Sequence, residues 1–280
     1  MVRHSAQVAL LGVPFDAYSS FLRGASQAPA AVRQVMLSGA SNMTAENGYV
    51  LDGEHGWRDA GDVACDNSKE DFDRISVRVS ELLAAGEKVL SLGGDHSITY
   101  PILQAYARAY PGLCILHLDA HPDLYDELDG NRLSHACPFA RIMEDQLAKR
   151  LVQVGIRTLN AHQAEQAERF GVTMHEARNW KPETSLGLHG PLYLSIDLDV
   201  LDPAFAPGVS HHEPGGLSVR DVIGLIQSIG TPLVGADIVE YNPQRDINGM
   251  TAAVCLKLIK EVSAAMAMSA PGQDAAESRG

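Results

Sequence analysis

Six side chains in three short segments have the types and spacing of a metal centre. In His117-Leu118-Asp119-Ala120-His121-Pro122-Asp123, Asp119, His121 and Asp123 stand at i, i+2 and i+4 after an apolar run. The two-residue period of extended chain directs all three to one side. A buried strand end does not ordinarily gather two carboxylates without something positive to neutralise them. The stretch from Leu192 to Pro203 repeats the arrangement, with Asp197 and Asp199 sharing a face at the end of an apolar run. Two carboxylates this close repel, which raises at least one pKa unless a cation compensates. Asp202, beside Pro203, reads as a turn residue whose oxygen accepts backbone N–H groups. In Gly93-Gly94-Asp95-His96-Ser97 the two glycines permit a tight turn, Asp95 suits a helix cap and His96 adds an imidazole.

His96, Asp119, His121, Asp123, Asp197 and Asp199 are too many donors for one catalytic zinc and suit two divalent ions sharing a hydroxide. Four carboxylates with two imidazoles and no thiolate form an oxygen-rich set. That favours Mn²⁺ over zinc, with Co²⁺, Ni²⁺ and Fe²⁺ also compatible.

These residues need strand ends to carry them, and the hydrophobic pattern supplies such ends. Short apolar runs predict strands at Val8 to Gly12, Lys88 to Leu92, Leu113 to Leu118, Leu151 to Val154, Pro191 to Ile196 and Leu233 to Ile238. Helical spacing predicts a helix starting near Pro29, then helices over Lys69 to Ala85, Ser97 to Tyr110, Ala161 to Phe170, Val219 to Ser228 and Thr251 to Met266. Strands alternating with helices imply βαβ crossovers, hence a three-layer α/β/α fold with a mainly parallel central sheet. Ligands of such folds sit beyond the carboxyl ends of the strands, where all three motifs fall.

The 280 residues carry 35 acidic against 22 Lys and Arg side chains, a formal net charge of −13. That excess argues against nucleic acid or an anionic membrane as partner. No stretch approaches the roughly 20 apolar residues that span a bilayer. Cys65, Cys114, Cys137 and Cys255 are scattered, as reduced thiols are, and the N-terminal residues lack the character of a signal or transit peptide. A soluble cytoplasmic protein is the expectation, with residues 1–268 forming one domain and 269–280 a frayed tail.

The motifs resemble those of the ureohydrolases, the arginase/agmatinase family. The likeness lies in Gly93-Gly94-Asp95-His96-Ser97, Asp119-Ala120-His121-Pro122-Asp123 and Ser195-Ile196-Asp197-Leu198-Asp199-Val200-Leu201-Asp202-Pro203. It extends from Gly12-Val13-Pro14-Phe15-Asp16 to Val239-Glu240-Tyr241-Asn242-Pro243, nearly the whole chain. The resemblance implies two Mn²⁺ ions that hydrolyse a guanidino group and release urea. Carried over by position, His96, Asp119, Asp123 and Asp197 would hold one ion and His121, Asp119, Asp197 and Asp199 the other, with Asp119 and Asp197 bridging. Glu240 would orient the cationic guanidinium, His135 would be the proton shuttle, and Asp123 would pass a proton to the leaving nitrogen. A homo-oligomer, trimer or hexamer, is implied as well.

The stretch Asp199 to Ser218, with its His211-His212 pair, looks most like plant-type arginases. L-Arginine, cleaved to L-ornithine and urea, is therefore the expected substrate, with agmatine or another guanidino acid as the alternative. Arginine adds a carboxylate that needs hydrogen-bond donors, and Asn131 and Ser134 in the loop Asp129 to Ser134 are the expected ones. His211 and His212 lie where they could border the substrate. A deacetylase-like enzyme would need one ion and an open ligand set; a non-catalytic sensor would be expected to have lost ligands.

Overall fold

The computed structural model describes residues 7–269. Strands β1 (Val8–Val13), β2 (Trp57–Asp62), β3 (Lys88–Gly93), β4 (Cys114–Leu118), β5 (Arg150–Ile156), β6 (Thr173–Glu176), β7 (Leu192–Asp197) and β8 (Leu233–Val239) form one sheet. Their order is β2-β1-β3-β8-β7-β4-β5-β6, and every pairing is parallel. Helices α1 (Ala28–Leu37), α2 (Asp71–Ala84), α3 (Thr99–Ala109), α4 (Pro138–Glu144), α5 (Ala161–Phe170), α6 (Val219–Gln227) and α7 (Met250–Met268) cover it.

The strand period distributes side chains between two cores. Leu90 and Leu92 of β3 face one cluster with Val32 of α1, Ile223 of α6 and Ile259 of α7. Val89 faces the other, with Ile75 of α2, Ile102 of α3 and Phe139 of α4. Both faces are thus covered, which is why β3, β4, β7 and β8 are buried along their whole length and read as mainly apolar runs. Helix α6 starts with a capping box, Ser218 and Asp221 each accepting the other's backbone N–H.

Three elements escaped the sequence reading. β2 (Trp-Arg-Asp-Ala-Gly-Asp) and β6 (Thr-Met-His-Glu) are polar edge strands held by backbone pairing to β1 and β5. Edge strands need no apolar run, since one flank and part of each face meet solvent. Helix α4 has only seven residues, opened by Pro138 in its first turn.

Residues 270–280, the bulk of the expected tail, lie outside the described residues. Ser269, its first residue, is held: its hydroxyl accepts from Leu233 N at 3.1 Å and its carbonyl from the buried Lys88 Nζ at 3.0 Å. Lys88 Nζ also donates to the Met266 carbonyl at 2.6 Å and so closes the end of α7. Among the described residues no helix is long and apolar enough to cross a membrane.

Strands β3, β8, β7 and β4 are consecutive in the sheet although the chain visits β3 and β4 long before β7 and β8. Their carboxyl ends lie side by side at the centre, and there the motif residues converge.

Candidate metal centre

His96 enters from the turn after β3. The Gly93-Gly94 pair is needed there for close approach rather than for a left-handed turn: a Cβ on Gly94 would overlap the Phe15 carbonyl, and one on Gly93 would overlap Ile98. Gly94→Ala is therefore expected to lower stability by about 1–3 kcal/mol through overpacking, visible as a drop in Tm; an unchanged Tm would show that the β1 and β3 ends can part freely. Asp95 caps the following turn, accepting from Ser97 N at 3.1 Å, and its other oxygen accepts from Tyr18 N at 3.0 Å. It braces two loops and stays out of the cluster.

His96 Nδ1 lies 3.2 Å from Asp119 Oδ2, 3.1 Å from Asp123 Oδ2 and 3.1 Å from Asp197 Oδ2. The opposite nitrogen, Nε2, is 3.0 Å from Ser195 Oγ, whose single hydroxyl proton goes to Asp237 Oδ1 at 2.6 Å. Ser195 must then accept from Nε2–H, which in the neutral ring leaves an unprotonated Nδ1 facing three carboxylate oxygens. Without a metal ion, burial opposes the charged ring but Asp119, Asp123 and Asp197 outweigh it and hold its pKa well above the ordinary value, so that a proton on Nδ1 takes the cation's place. Nδ1 is buried and has no hydrogen-bond partner. Four converging lone pairs are tolerable only around a cation.

A second group adjoins the first. His121 Nδ1 is 3.0 Å from Asp199 Oδ2 and 3.4 Å from Asp119 Oδ1. Asp119 thus offers one oxygen to the His96 group and the other to the His121 group. Asp197 Oδ1 accepts from Asp199 N at 2.8 Å, and Asp199 Oδ1 from Ala120 N at 3.1 Å, so the loops after β4 and β7 fix each other. The donor set fits a pair of divalent cations. Burial, then the neighbouring Asp199 and Asp119, pushes Asp197 well above the ordinary carboxylate range; burial, with Asp119 adding to it, raises Asp199 to about 6. Positive charge in the cluster removes that penalty.

The extended-chain expectation for Asp119, His121 and Asp123 is corrected in its geometry. β4 ends at Leu118, and the chain turns so that Asp123 adopts φ +51°. The three side chains converge through that turn rather than by alternation. Glu240, directly after β8, also sits in the left-handed region at φ +64°, a conformation that costs a non-glycine residue energy and clusters at functional positions.

Glu240 Oε1 accepts from His96 N at 2.9 Å and from His135 Nδ1 at 2.7 Å. Burial alone would lower the His135 pKa, but the Glu240 carboxylate overrides it and pushes the imidazole up to about 9. Both line a cavity of about 200 Å³ with His121, Asp123, Asp197 and Asp199.

Asn131 and Ser134 do not reach that cavity. Asn131 Oδ1 accepts from Leu133 N at 2.9 Å, and Ser134 Oγ from Ala136 N at 3.4 Å. Short polar side chains in a tight loop satisfy their own backbone first. Tyr125, Thr158 and Gln163 line the cavity in their place. Of the histidine pair, His211 reaches the cavity, its ring 5.7 Å from that of His121 and 5.6 Å from that of His135. His212 is exposed, with Nε2 2.7 Å from the Pro207 carbonyl. Asp202 is a turn residue, accepting from Ala204 N at 2.9 Å and Gly215 N at 2.7 Å.

Several supporting residues were not singled out from sequence. His117 Nε2 is 2.8 Å from Asp119 Oδ2, while its Nδ1 meets Gln153 Nε2 at 3.0 Å. Both ring nitrogens are committed, so His117 orients Asp119 and is no ligand itself, although it lies within ligand distance of the cluster. Asp237, fully buried, accepts from Ser195, Tyr193 and Thr99 hydroxyls and anchors the chain that orients His96. Arg157 Nη2 donates to the Asp199 carbonyl at 2.6 Å and to that of Glu213 at 2.5 Å. An ionisable residue within an apolar strand, as at His117 and Asp237, was the available signal.

The protein named "Arginase 1, mitochondrial" from Arabidopsis thaliana is 46% identical over 277 residues, covering 92% of this chain and 81% of its own. The solved structure of the arginase from Medicago truncatula superposes with a TM-score of 0.86 at 42% identity, covering 94% of this chain and 88% of the other. The agmatinase of Bacillus anthracis is more distant, 34% identical over 92% of this chain and 91% of its own.

The expectation of a cytoplasmic protein is overturned: relatives 43–47% identical carry names that place those proteins in mitochondria or chloroplasts. Unpaired cysteines distinguish reducing from oxidising surroundings, and they do not separate one reducing compartment from another. The model of the arginase family matches residues 6–264, and together with relatives covering most of its length it shows that this chain belongs to the arginase family.

Proposed function

We propose that this protein is a manganese-dependent arginase that hydrolyses the guanidino group of L-arginine to give L-ornithine and urea. The observation that carries the reading is the division of the Asp119 carboxylate, one oxygen toward His96 and the other toward His121. Such an arrangement would let His96, Asp119, Asp123 and Asp197 hold one divalent ion and His121, Asp119, Asp197 and Asp199 a second, with Asp119 and Asp197 common to both sets. The oxygen-rich donor set favours Mn²⁺. When bound, the metal pair supplies water activation near neutral pH.

The chain's own residues do the rest. A guanidinium carbon is a poor electrophile because resonance stabilises it, so the substrate must be held and its leaving nitrogen protonated. Glu240 would accept N–H groups of the guanidinium and pair with its charge. Asp123, bordering both cluster and cavity, would carry the proton of the attacking water toward the departing nitrogen. His135, next to Glu240, would deliver the second proton. The small cavity and its acidic wall suit a small cationic substrate. For the α-carboxylate of arginine, Tyr125, Thr158 and Gln163 are better placed than Asn131 and Ser134. A homo-oligomer, trimer or hexamer, belongs to the same proposal and is supported by family membership.

Arginine rather than agmatine is favoured because the relatives named arginases are 43–47% identical, against 34% for the agmatinase. Urea release from the Mn²⁺-loaded protein with arginine, agmatine and 4-guanidinobutyrate tests this. The expected order puts kcat/KM for arginine at least about tenfold above the others, a difference of about 1.4 kcal/mol in transition-state binding. A higher kcat/KM with agmatine would overturn arginine as the substrate.

A further inference from the structure

Ser20 lies on the loop between β1 and α1, a segment pinned by two buried carboxylates. Asp16 Oδ2 accepts from Gly24 N at 2.8 Å, and Asp95 Oδ2 accepts from Tyr18 N. Between those anchors Ser20 is exposed to solvent, yet its Oγ is 2.8 Å from His135 Nε2 and its backbone N–H donates to the same nitrogen at 3.1 Å. His135 itself is only 7% exposed. A backbone donor on Nε2 makes that nitrogen an acceptor, so in the neutral ring the proton resides on Nδ1, facing Glu240 Oε1. The imidazole therefore has an inner nitrogen toward the guanidinium-binding carboxylate and an outer one toward an exposed hydroxyl.

We propose that Ser20 is the proton relay between His135 and solvent; this rests on the reading of His135 as proton shuttle. When the departing nitrogen takes the Nδ1 proton, the Ser20 hydroxyl proton moves to Nε2 and Ser20 Oγ takes one from a solvent acid. When the attacking water sheds a proton to Nδ1, the Nε2 proton returns to Ser20 Oγ, whose own hydroxyl proton leaves to solvent. One proton enters, one leaves, and the ring regains its starting tautomer. The backbone N–H holds the imidazole whenever Nε2 is unprotonated and favours return to that tautomer, so positioning and relay are separable functions of one residue.

Ser20→Ala keeps the backbone donor and removes only the hydroxyl. In the Mn²⁺-loaded enzyme its kcat for arginine should fall about tenfold at low buffer concentration, part of the roughly 10²–10⁴-fold that positioned proton transfer contributes. KM should stay within about twofold, and added imidazole buffer should restore kcat by supplying protons directly to the ring. Ser20→Thr, which retains a hydroxyl, should stay within about threefold of the parent. A full kcat in Ser20→Ala, or a loss that buffer does not relieve, overturns the relay. His135→Asn separates the two layers: if it keeps full kcat the shuttle reading falls, whereas an inactive His135→Asn beside a fully active Ser20→Ala removes only the relay.

Discussion

Asp119→Asn is expected to abolish urea production, with kcat falling by about three orders of magnitude or more, because water activation by two ions depends on the bridging charge. The geometry leaves the amide no good orientation. Asp119 Oδ2 faces the His117 Nε2 proton at 2.8 Å, and Oδ1 accepts from His121 N at 2.5 Å. Whichever position the amide nitrogen takes, its hydrogens oppose a donor already there, and a neutral group replaces one that faces both His96 and His121. The substituted protein should still fold, since the cores on either side of the sheet do not include this side chain. Metal analysis after dialysis should show less than two bound ions per chain. Two retained ions together with activity within tenfold of the parent would remove Asp119 from the bridging position.

The second large effect is expected at Glu240. Glu240→Gln keeps an oxygen for His96 N and His135 Nδ1 and removes only the charge, so the loss reports electrostatics rather than collapse. Charge-assisted hydrogen bonds contribute about 1.5–3 kcal/mol, so kcat/KM for arginine should fall by about 10²-fold. A separate readout follows from the neighbouring imidazole. Burial favours its neutral form, and the Glu240 carboxylate outweighs burial to hold His135 at about 9. Without that carboxylate the cation is disfavoured, so the His135 pKa moves down toward or below its ordinary value. An NMR titration of the metal-free protein measures this directly. An unshifted His135 resonance, or an unchanged kcat/KM, would contradict the pairing.

Glu240 and His135 also show how far sequence reading reaches. Each was picked out through family resemblance, since a strand-end acid and a loop histidine carry little local signal. Their direct contact spans 105 residues of chain. By contrast the aspartates announced themselves, because carboxylates at two-residue spacing after an apolar run conflict with burial unless a cation is present. The polar loop at Asn131 and Ser134 is hard to read for a related reason: the residue types that bind a carboxylate are also those that close a turn, and here they accept from their own backbone.

What the sequence by itself determined was the chemistry and the class of scaffold. Apolar runs alternating with amphipathic segments require a parallel sheet covered on both faces, and six oxygen and nitrogen donors at three strand ends require cations. The tertiary structure alone decided how those ends meet. The order β3-β8-β7-β4 at the centre of the sheet sets His96 beside Asp123 and Asp197, divides Asp119 between two groups, and brings Ser20 to the outer nitrogen of His135. It also supplies the Ser195–Asp237 and His117–Gln153 supports that settle which ring nitrogen carries the proton. Such contacts join residues as far as 115 positions apart. Local propensity acts over a few residues; the partner across the sheet is chosen only when strand order and burial are decided together.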